Sequence, residues 1–310
     1  MQSVILCSLE SLGALAHEAV GKLRTVAPTE LLPMPTVAQV LETVEHTPGS
    51  AGLLPIEDAY EGEMTSVYDR LVFENHHALI CDEVVVSDSF DAFVPAGATP
   101  ESARTAVSTP RGIEMCFRFV QEQGLTVRYA DTPGEACRSV AEGEEGLVAL
   151  APSRTATSFG LVRVAAGVED LLDLKTRFIV VARHVPEPSG NDKTTLVVTP
   201  AFDRSGTLAD LLDAFSENDV NMVSLASRPL RSTVGTHCFQ ITCEGHLLDA
   251  SVQSTVRRLW SKGARVKFLG SYPAWDSELV LTPFDALPTA SVGPDDADAD
   301  RAALLAPPVG

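Results

Sequence analysis

The sequence predicts an α/β protein in two parts: an α/β body over residues 1–183 and, beyond a linker at 184–192, a βαββαβ plait over 193–273. Three observations predict it. Short apolar runs alternate with amphipathic helical windows as far as residue 183, the pattern of open α/β sheets that take ligands at the carboxyl ends of their strands. HVPEPSGND at 184–192 puts two prolines, a glycine and several polar residues into nine positions, which marks a linker. Beyond it the strand and helix patterns come in the order βαββαβ, a ferredoxin-like plait.

The elements follow in order. SVILCSL at 3–9 reads as a short buried strand and roughly Leu12–Leu23 as a helix. TVAQVLETVE at 36–45 sets Val37, Val40, Leu41 and Val44 on one helical face. GSAGLLPIEDAYEG at 49–62 runs from a glycine turn into an apolar strand and then an acidic loop, with a helix over Thr65–Phe73. ALICDEVVVSDSFDAFVP at 78–95 alternates strand-like runs with turn residues. RGIEMCFRFVQEQG at 111–124 predicts one amphipathic helix closed by Gly124. LTVRYA, PGEACRSVAEG and GLVALA form a βαβ-like unit over 125–151, RTATSFG is helical or turn, and KTRFIVVAR at 175–183 is a strand. In the plait, strands at 193–200, 220–229, 236–244 and 264–272 enclose helices at 206–218 and 247–263. The tail at 274–310, rich in Pro, Ala and Asp, is expected to be mostly disordered.

Composition excludes several classes. Hydrophobic residues make up 45% and charged residues 21%, ordinary for a soluble globular chain. No apolar run approaches the length needed to span a bilayer, and the N-terminus lacks the basic start of a signal peptide, so a cytoplasmic protein is expected. The formal net charge of −19 argues against nucleic-acid and membrane-surface partners. Part of that excess sits in the tail, where seven acids face one base, Arg301, over 275–310. Six scattered cysteines without ligand spacing are expected to be reduced core residues. His76 and His77, adjacent on a strand, would point to opposite faces, which makes them a poor metal site. Neither a metal nor a cofactor is implied.

Five stretches carry a resemblance. GLLPIEDAYEG at 52–62 resembles a PIENSxEG loop, KTRF at 175–178 ends the first part, and GTL (206–208), SRP (227–229) and LGSYP (269–273) resemble signatures of an ACT regulatory domain. In this order, over about residues 3–273, they resemble the prephenate dehydratase family with a C-terminal ACT domain. The resemblance implies a two-lobed, periplasmic-binding-protein-like catalytic domain, the chain crossing between lobes and returning near residue 160. It implies conversion of prephenate to phenylpyruvate, with loss of water and carbon dioxide, in L-phenylalanine biosynthesis. It also implies a homodimer or homotetramer.

The resemblance also supplies site residues. Thr176 would assist the departing hydroxyl and Phe178, on the same strand face, would pack on the ring, with Arg177, Glu57, Ala59 and Glu10 as further substrate contacts. Taken alone, Thr176 reads as a β-branched strand residue facing the core, and the resemblance assigns Glu57 to its turn, in a hydrogen-bonding rather than a catalytic role. The chain also departs from the family. SLESLGA at 8–14 stands for GPxGTxS, so Leu12 and Ala14 replace two hydroxyl residues and only Glu10 matches. Asp58 and Ala59 replace the asparagine and serine of the PIENS loop, and Pro152 stands where a serine is usual. Asp58 is either a solvated loop acid or a protonated donor that helps hydroxide leave. As a donor it could instead protonate a ring carbon, as in non-aromatising prephenate decarboxylases. A catalytically weakened amino-acid-binding regulator is the third reading. In the plait the resemblance implies that L-phenylalanine binds across a dimer interface near Gly206, Thr207, Leu208, Asn221, Ser227 and Arg228, although Ala226 replaces a usual glutamate. A purely structural dimerisation module is the alternative.

Overall fold

The computed structural model describes residues 2–58, 62–99, 102–143, 145–170, 174–202, 204–230, 236–275 and Val292. Met1–Trp275 form one compact unit and Asp276–Gly310 a second. The expected disorder of the tail therefore lies outside the described residues, except at its start. There Ala274 is buried and Trp275 packs against the core of the first unit, so the ordered chain outlasts the predicted boundary at 273 by two residues.

Two sheets organise the first unit. The larger takes its strands in the order β13-β14-β12-β15-β5-β11-β3-β1-β2. Of these, β1 (Gln2–Leu9), β2 (Val26–Met34), β3 (Ser50–Asp58), β5 (Leu79–Asp88) and β11 (Leu174–Ala182) come from the first part of the chain. The short β4 (Gly62–Glu63) pairs with the end of β3. The plait contributes β12 (Asp192–Thr199), β13 (Met222–Pro229), β14 (His237–Glu244) and β15 (Arg265–Pro273). The second sheet runs β10-β6-β9-β7-β8, built from β6 (Phe90–Val94), β7 (Thr105–Ser108), β8 (Thr126–Tyr129), β9 (Leu147–Pro152) and β10 (Val162–Ala165). The chain leaves the first lobe between Asp88 and Phe90 and returns between β10 and β11.

The helices cover these sheets as their apolar faces dictate. Thr36 caps α2 (Val37–His46) by accepting from the Gln39 amide at 3.3 Å, and Val40, Leu41 and Val44 bury the predicted face. α1 (Ala14–Val20) is shorter than expected because Glu10–Leu12 form a separate tight turn. α3 spans Thr65–Phe73 as expected. The helix expected at 111–124 is two, α4 (Pro110–Met115) and α5 (Phe117–Glu122). The Asp170 amide takes the Met115 carbonyl at 2.6 Å, an acceptor that an unbroken helix would use itself. α6 (Pro133–Glu142) and α7 (Ser153–Ala156) complete the second lobe, and α8 (Thr207–Ser216) and α9 (Ala250–Ser261) complete the plait. Strands β2, β7 and β10 went unpredicted; β2 carries Pro28 and Pro33, residues an edge strand tolerates.

The plait sheet is used on both faces. One face packs α8 and α9 through Leu196, Val198, Leu211, Phe215, Ile241 and Leu259. The other lies on α3: Val197, Cys238, Leu269 and Tyr272 share a core with Tyr68, Leu71 and Val72. Lys267 Nζ donates to the carbonyls of Leu71, Val72 and Asn75 at 2.7–2.9 Å, capping the carboxyl end of α3. At the other end of α3, Arg228 pairs with Glu63 at 2.7 Å and approaches Asp69 at 3.8 Å. Lys193 holds the fully buried Glu83 at 2.5 Å. All six cysteines are buried and free, and burial pushes the Cys81 thiol up to about 12.

Candidate functional site

A cavity of about 420 Å³ opens between the lobes. The first lobe lines it with Leu9, Ser11, Leu12, Leu15, Pro55, Met64 and Thr176. From the second lobe come Phe90, Thr109, Arg111, Asp131, Thr132, Pro133, Pro152, Arg154 and Thr155. The second-lobe wall is made of helix starts. Thr109 caps α4 and Thr132 caps α6, each followed by a proline in the first turn. Helix starts favour negative charge, although here the capping threonines themselves take the Gly112 and Glu135 amides. The first-lobe wall is mostly apolar, and Leu12 and Pro152, two of the positions that depart from the family, both face the cavity.

Thr176 sits on this wall, 6% exposed, and donates its hydroxyl to Asp58 Oδ2 at 3.0 Å. The two residues are paired in register between β11 and β3. Asp58 is 3% exposed, so it is not a solvated loop acid. Arg111, from the opposite lobe, donates to the same Oδ2. Arg154 also bridges the lobes, pairing with Glu18 on α1 and donating to the Ser87 carbonyl at 3.1 Å. Asp91 stabilises the start of α7. Burial acts to raise its carboxyl, but donors from Ser153, the Gly167 amide at 2.9 Å and Arg163 at 3.2 Å outweigh burial and hold it below the usual carboxylate range.

Several expected contacts lie elsewhere. Phe178 shares a strand face with Thr176 but is fully buried among Val4, Leu6, Leu53 and Val180, two residues deeper than the cavity wall. It is a core residue. Arg177 points to the opposite face of β11 and pairs with Glu57 at 2.6 Å, so neither lines the cavity. Burial works against the Arg177 charge, yet Tyr68, Glu57, Tyr272 and Glu83 around it outweigh that and raise its pKa. Glu10 is exposed in its turn and outside the cavity lining, and Ala59 lies outside the described residues. Sequence reading missed Arg111 and Arg154. The Thr-Pro pairs at 109–110 and 132–133 were the available signal, since a capping residue before proline marks a helix start.

A second cavity, of about 400 Å³, lies in the plait between the start of α8 and the strands. Arg204, Gly206, Thr207, Leu208, Ser227, His237 and Phe239 line it. Gly206 caps α8 with φ +87°, a left-handed conformation that favours glycine. Asn221 and Arg228 are not part of this lining. Arg228 follows Ser227 on β13 and so projects to the other face of the sheet, toward Glu63. No group of three or more His, Cys, Asp or Glu that could hold a metal ion occurs among the described residues.

Comparison with known proteins accords with this architecture. The chain is 32% identical over 245 residues to a bifunctional chorismate mutase/prephenate dehydratase of Neisseria gonorrhoeae, covering 77% of this chain and 66% of that protein. It is 28% identical over 249 residues to a prephenate dehydratase of Corynebacterium glutamicum, covering 79% and 78% of the two chains. The solved structure of the Arthrobacter aurescens prephenate dehydratase in complex with L-Phe superposes with a TM-score of 0.76 at 26% identity, covering 97% of each chain. A model of the prephenate dehydratase family matches residues 9–186, more than half of the sequence and the whole of the cleft described above, so the chain belongs to the prephenate dehydratase family.

Proposed function

We propose that the chain is a lyase that converts prephenate to phenylpyruvate, in L-phenylalanine biosynthesis, and that its C-terminal plait is an ACT domain through which L-phenylalanine feeds back on the reaction. The observation that carries this reading is the placement of Thr176 on the wall of the cavity between the lobes, opposite helix starts and two arginines. A cavity of about 420 Å³ suits a small cyclic dianion. The helix starts and Arg111 and Arg154 would orient its carboxylates. The bond to the ring carboxylate breaks, its electron pair enters the ring, and the ring hydroxyl leaves. A donor must supply a proton to that oxygen, so the products are phenylpyruvate, carbon dioxide and water. Thr176 lines the cavity, and its hydroxyl, turned from Asp58, would hydrogen-bond to the departing oxygen, while the proton that completes the water comes from solvent.

One observation favours a second reading. A hydroxyl carries one proton, and that of Thr176 points to Asp58. Were it held there during turnover, the leaving oxygen would lack this donor. Decarboxylation would then end with a proton on a ring carbon, leaving the hydroxyl in place and the ring non-aromatic. Incubation with prephenate separates the readings. Phenylpyruvate absorbance with release of carbon dioxide is the expected result. Substrate loss and carbon dioxide without an aromatic product would establish the second reading, and no turnover would remove both.

The ACT reading is supported by the βαββαβ order, by the cavity at Gly206–Leu208 and Ser227, and by the L-Phe complex of the Arthrobacter protein. Oligomerisation as a homodimer or homotetramer belongs to the same proposal.

A further inference from the structure

The ladder between β3 and β11 slips beside the cleft. Thr176 pairs with Asp58 and Arg177 with Glu57, but Phe178 pairs with Pro55, so Ile56 is an extra residue on β3. Over the same stretch β11 keeps regular register with β5, Arg177 against Val85 and Phe178 against Val84, so the bulge belongs to β3. A one-residue slip exchanges the faces of the side chains beyond it. Leu54 and Ile56 pack in the core that contains Tyr68, whereas Pro55 lines the cavity. Unbroken alternation would therefore turn Glu57 to the cavity and Asp58 to the Tyr68 side. The bulge reverses this. Glu57 meets Arg177 at 2.6 Å away from the cavity, and Asp58 accepts from the Thr176 hydroxyl at 3.0 Å.

On the outer side of β3, β4 sets Glu63 directly against Glu57, and like charges opposite each other in a ladder repel. Each acid meets an arginine: Arg228 at 2.7 Å for Glu63, and Arg177 for Glu57. Arg177 also lies 3.8 Å from the fully buried Glu83 on β5, whose other oxygen accepts from Lys193 at 2.5 Å and from the Trp275 amide at 2.8 Å. One guanidinium thus reaches from β3 to β5 behind the strand that carries Thr176. We propose that Arg177 is a positioning residue: held between Glu57 and Glu83, it fixes the bulge of β3 that keeps Asp58, and not Glu57, beside Thr176 in the cleft. This rests on prephenate being the substrate.

The test uses the full chain with Arg177→Met, Arg177→Lys, Glu57→Gln and the Arg177→Met, Glu57→Gln double variant. It is read by steady-state kinetics with prephenate, normalised to folded protein, and by melting temperature. Arg177→Met is expected to lower kcat about 30-fold while KM changes less than about threefold, the pattern of a group that acts on the reacting arrangement and not on binding. Adding Glu57→Gln removes the charge left facing Glu63 and should recover about fivefold of that kcat, which a residue contributing only stability would not show. Arg177→Lys keeps the charge but lacks the fork that reaches both acids, so it should lose about threefold in kcat at unchanged KM. If Arg177→Met does not fold, Arg177→Lys decides, and a wild-type kcat in it would overturn the proposal. A folded Arg177→Met with wild-type kcat, a rise in KM that accounts for the loss of kcat/KM, or no recovery on adding Glu57→Gln would each overturn it too, and would leave the lyase reading intact. A wild-type protein that does not turn over prephenate would sink the lyase reading, and this inference with it.

Discussion

A single proton on Thr176 links the strand ladder to the chemistry. The hydroxyl reaches the cavity because residue 176 lies at the open end of β11, and Asp58, opposite it on β3, accepts its proton, so dehydration requires the hydroxyl to turn from Asp58 to the substrate. Two residues further along, Phe178 is sealed in the core, so a two-residue step separates chemistry from packing. We expect Thr176→Ala to lower turnover of prephenate about 100-fold or more, the usual size of a lost hydrogen bond to developing charge. Its stability cost should be near 1 kcal/mol, the net value of one hydrogen bond. Initial rates and urea unfolding of the same preparation measure both. A variant with near-normal turnover would take Thr176 out of the mechanism.

Among the elements, the meeting of β15 and β5 joins the plait to the first lobe. They touch in parallel at one register position, Gly270 against Ile80. A Cβ on Gly270 would lie 2.2 Å from the Ile80 carbonyl oxygen and 2.6 Å from its amide nitrogen, and its φ of +146° is one that side chains rarely adopt. The glycine of the LGSYP stretch is thus required by the approach of two backbones. Gly270→Ala should destabilise the protein by about 2–3 kcal/mol, as overpacking against a rigid neighbour does. Urea denaturation should show a lower midpoint with an unchanged slope; an unchanged midpoint would mean that the two strands separate at little cost. The break between α4 and α5 is also set at this scale, because it lets Arg118 and Asp170 meet at the foot of the second lobe.

For the whole molecule, one face of the plait carries the Gly206 cavity and the other grips α3. Ser227 lines that cavity, and its neighbour Arg228 holds Glu63, which stands opposite Glu57 where β4 pairs with β3 beside Asp58. If L-phenylalanine fills the cavity, it should raise the melting temperature. At a hundred times its dissociation constant the gain would be about 2.7 kcal/mol. Scanning calorimetry with phenylalanine, tyrosine and tryptophan tests this, and no shift with any of them at millimolar concentration would leave a structural module. Arg228→Gln should still bind phenylalanine, since its side chain is outside the cavity lining, but respond to it with a smaller change in turnover. An unaltered response would show that Arg228 only fastens the two parts together.

The strand that carries Thr176 and the βαββαβ succession after residue 192 were legible in the sequence because each is a local pattern: periodicity, or a short motif on a strand. Asp58 was legible as a departure, but its state was not, because its partner Arg111 lies 53 positions away on the other lobe. Glu57, Arg177 and Arg228 carry chemistry-like residue types in motif-like places, yet alternation along their strands turns them toward ion pairs at the junction with the plait. The edge strands β2 and β10 were missed because short or proline-bearing strands depend on their neighbours for pairing. The sequence by itself determined most of the elements and their order, the strands and helices with a strong period of their own. Only the tertiary structure decided which side chains share the cleft, since that depends on how two sheets, distant in sequence, face each other across it.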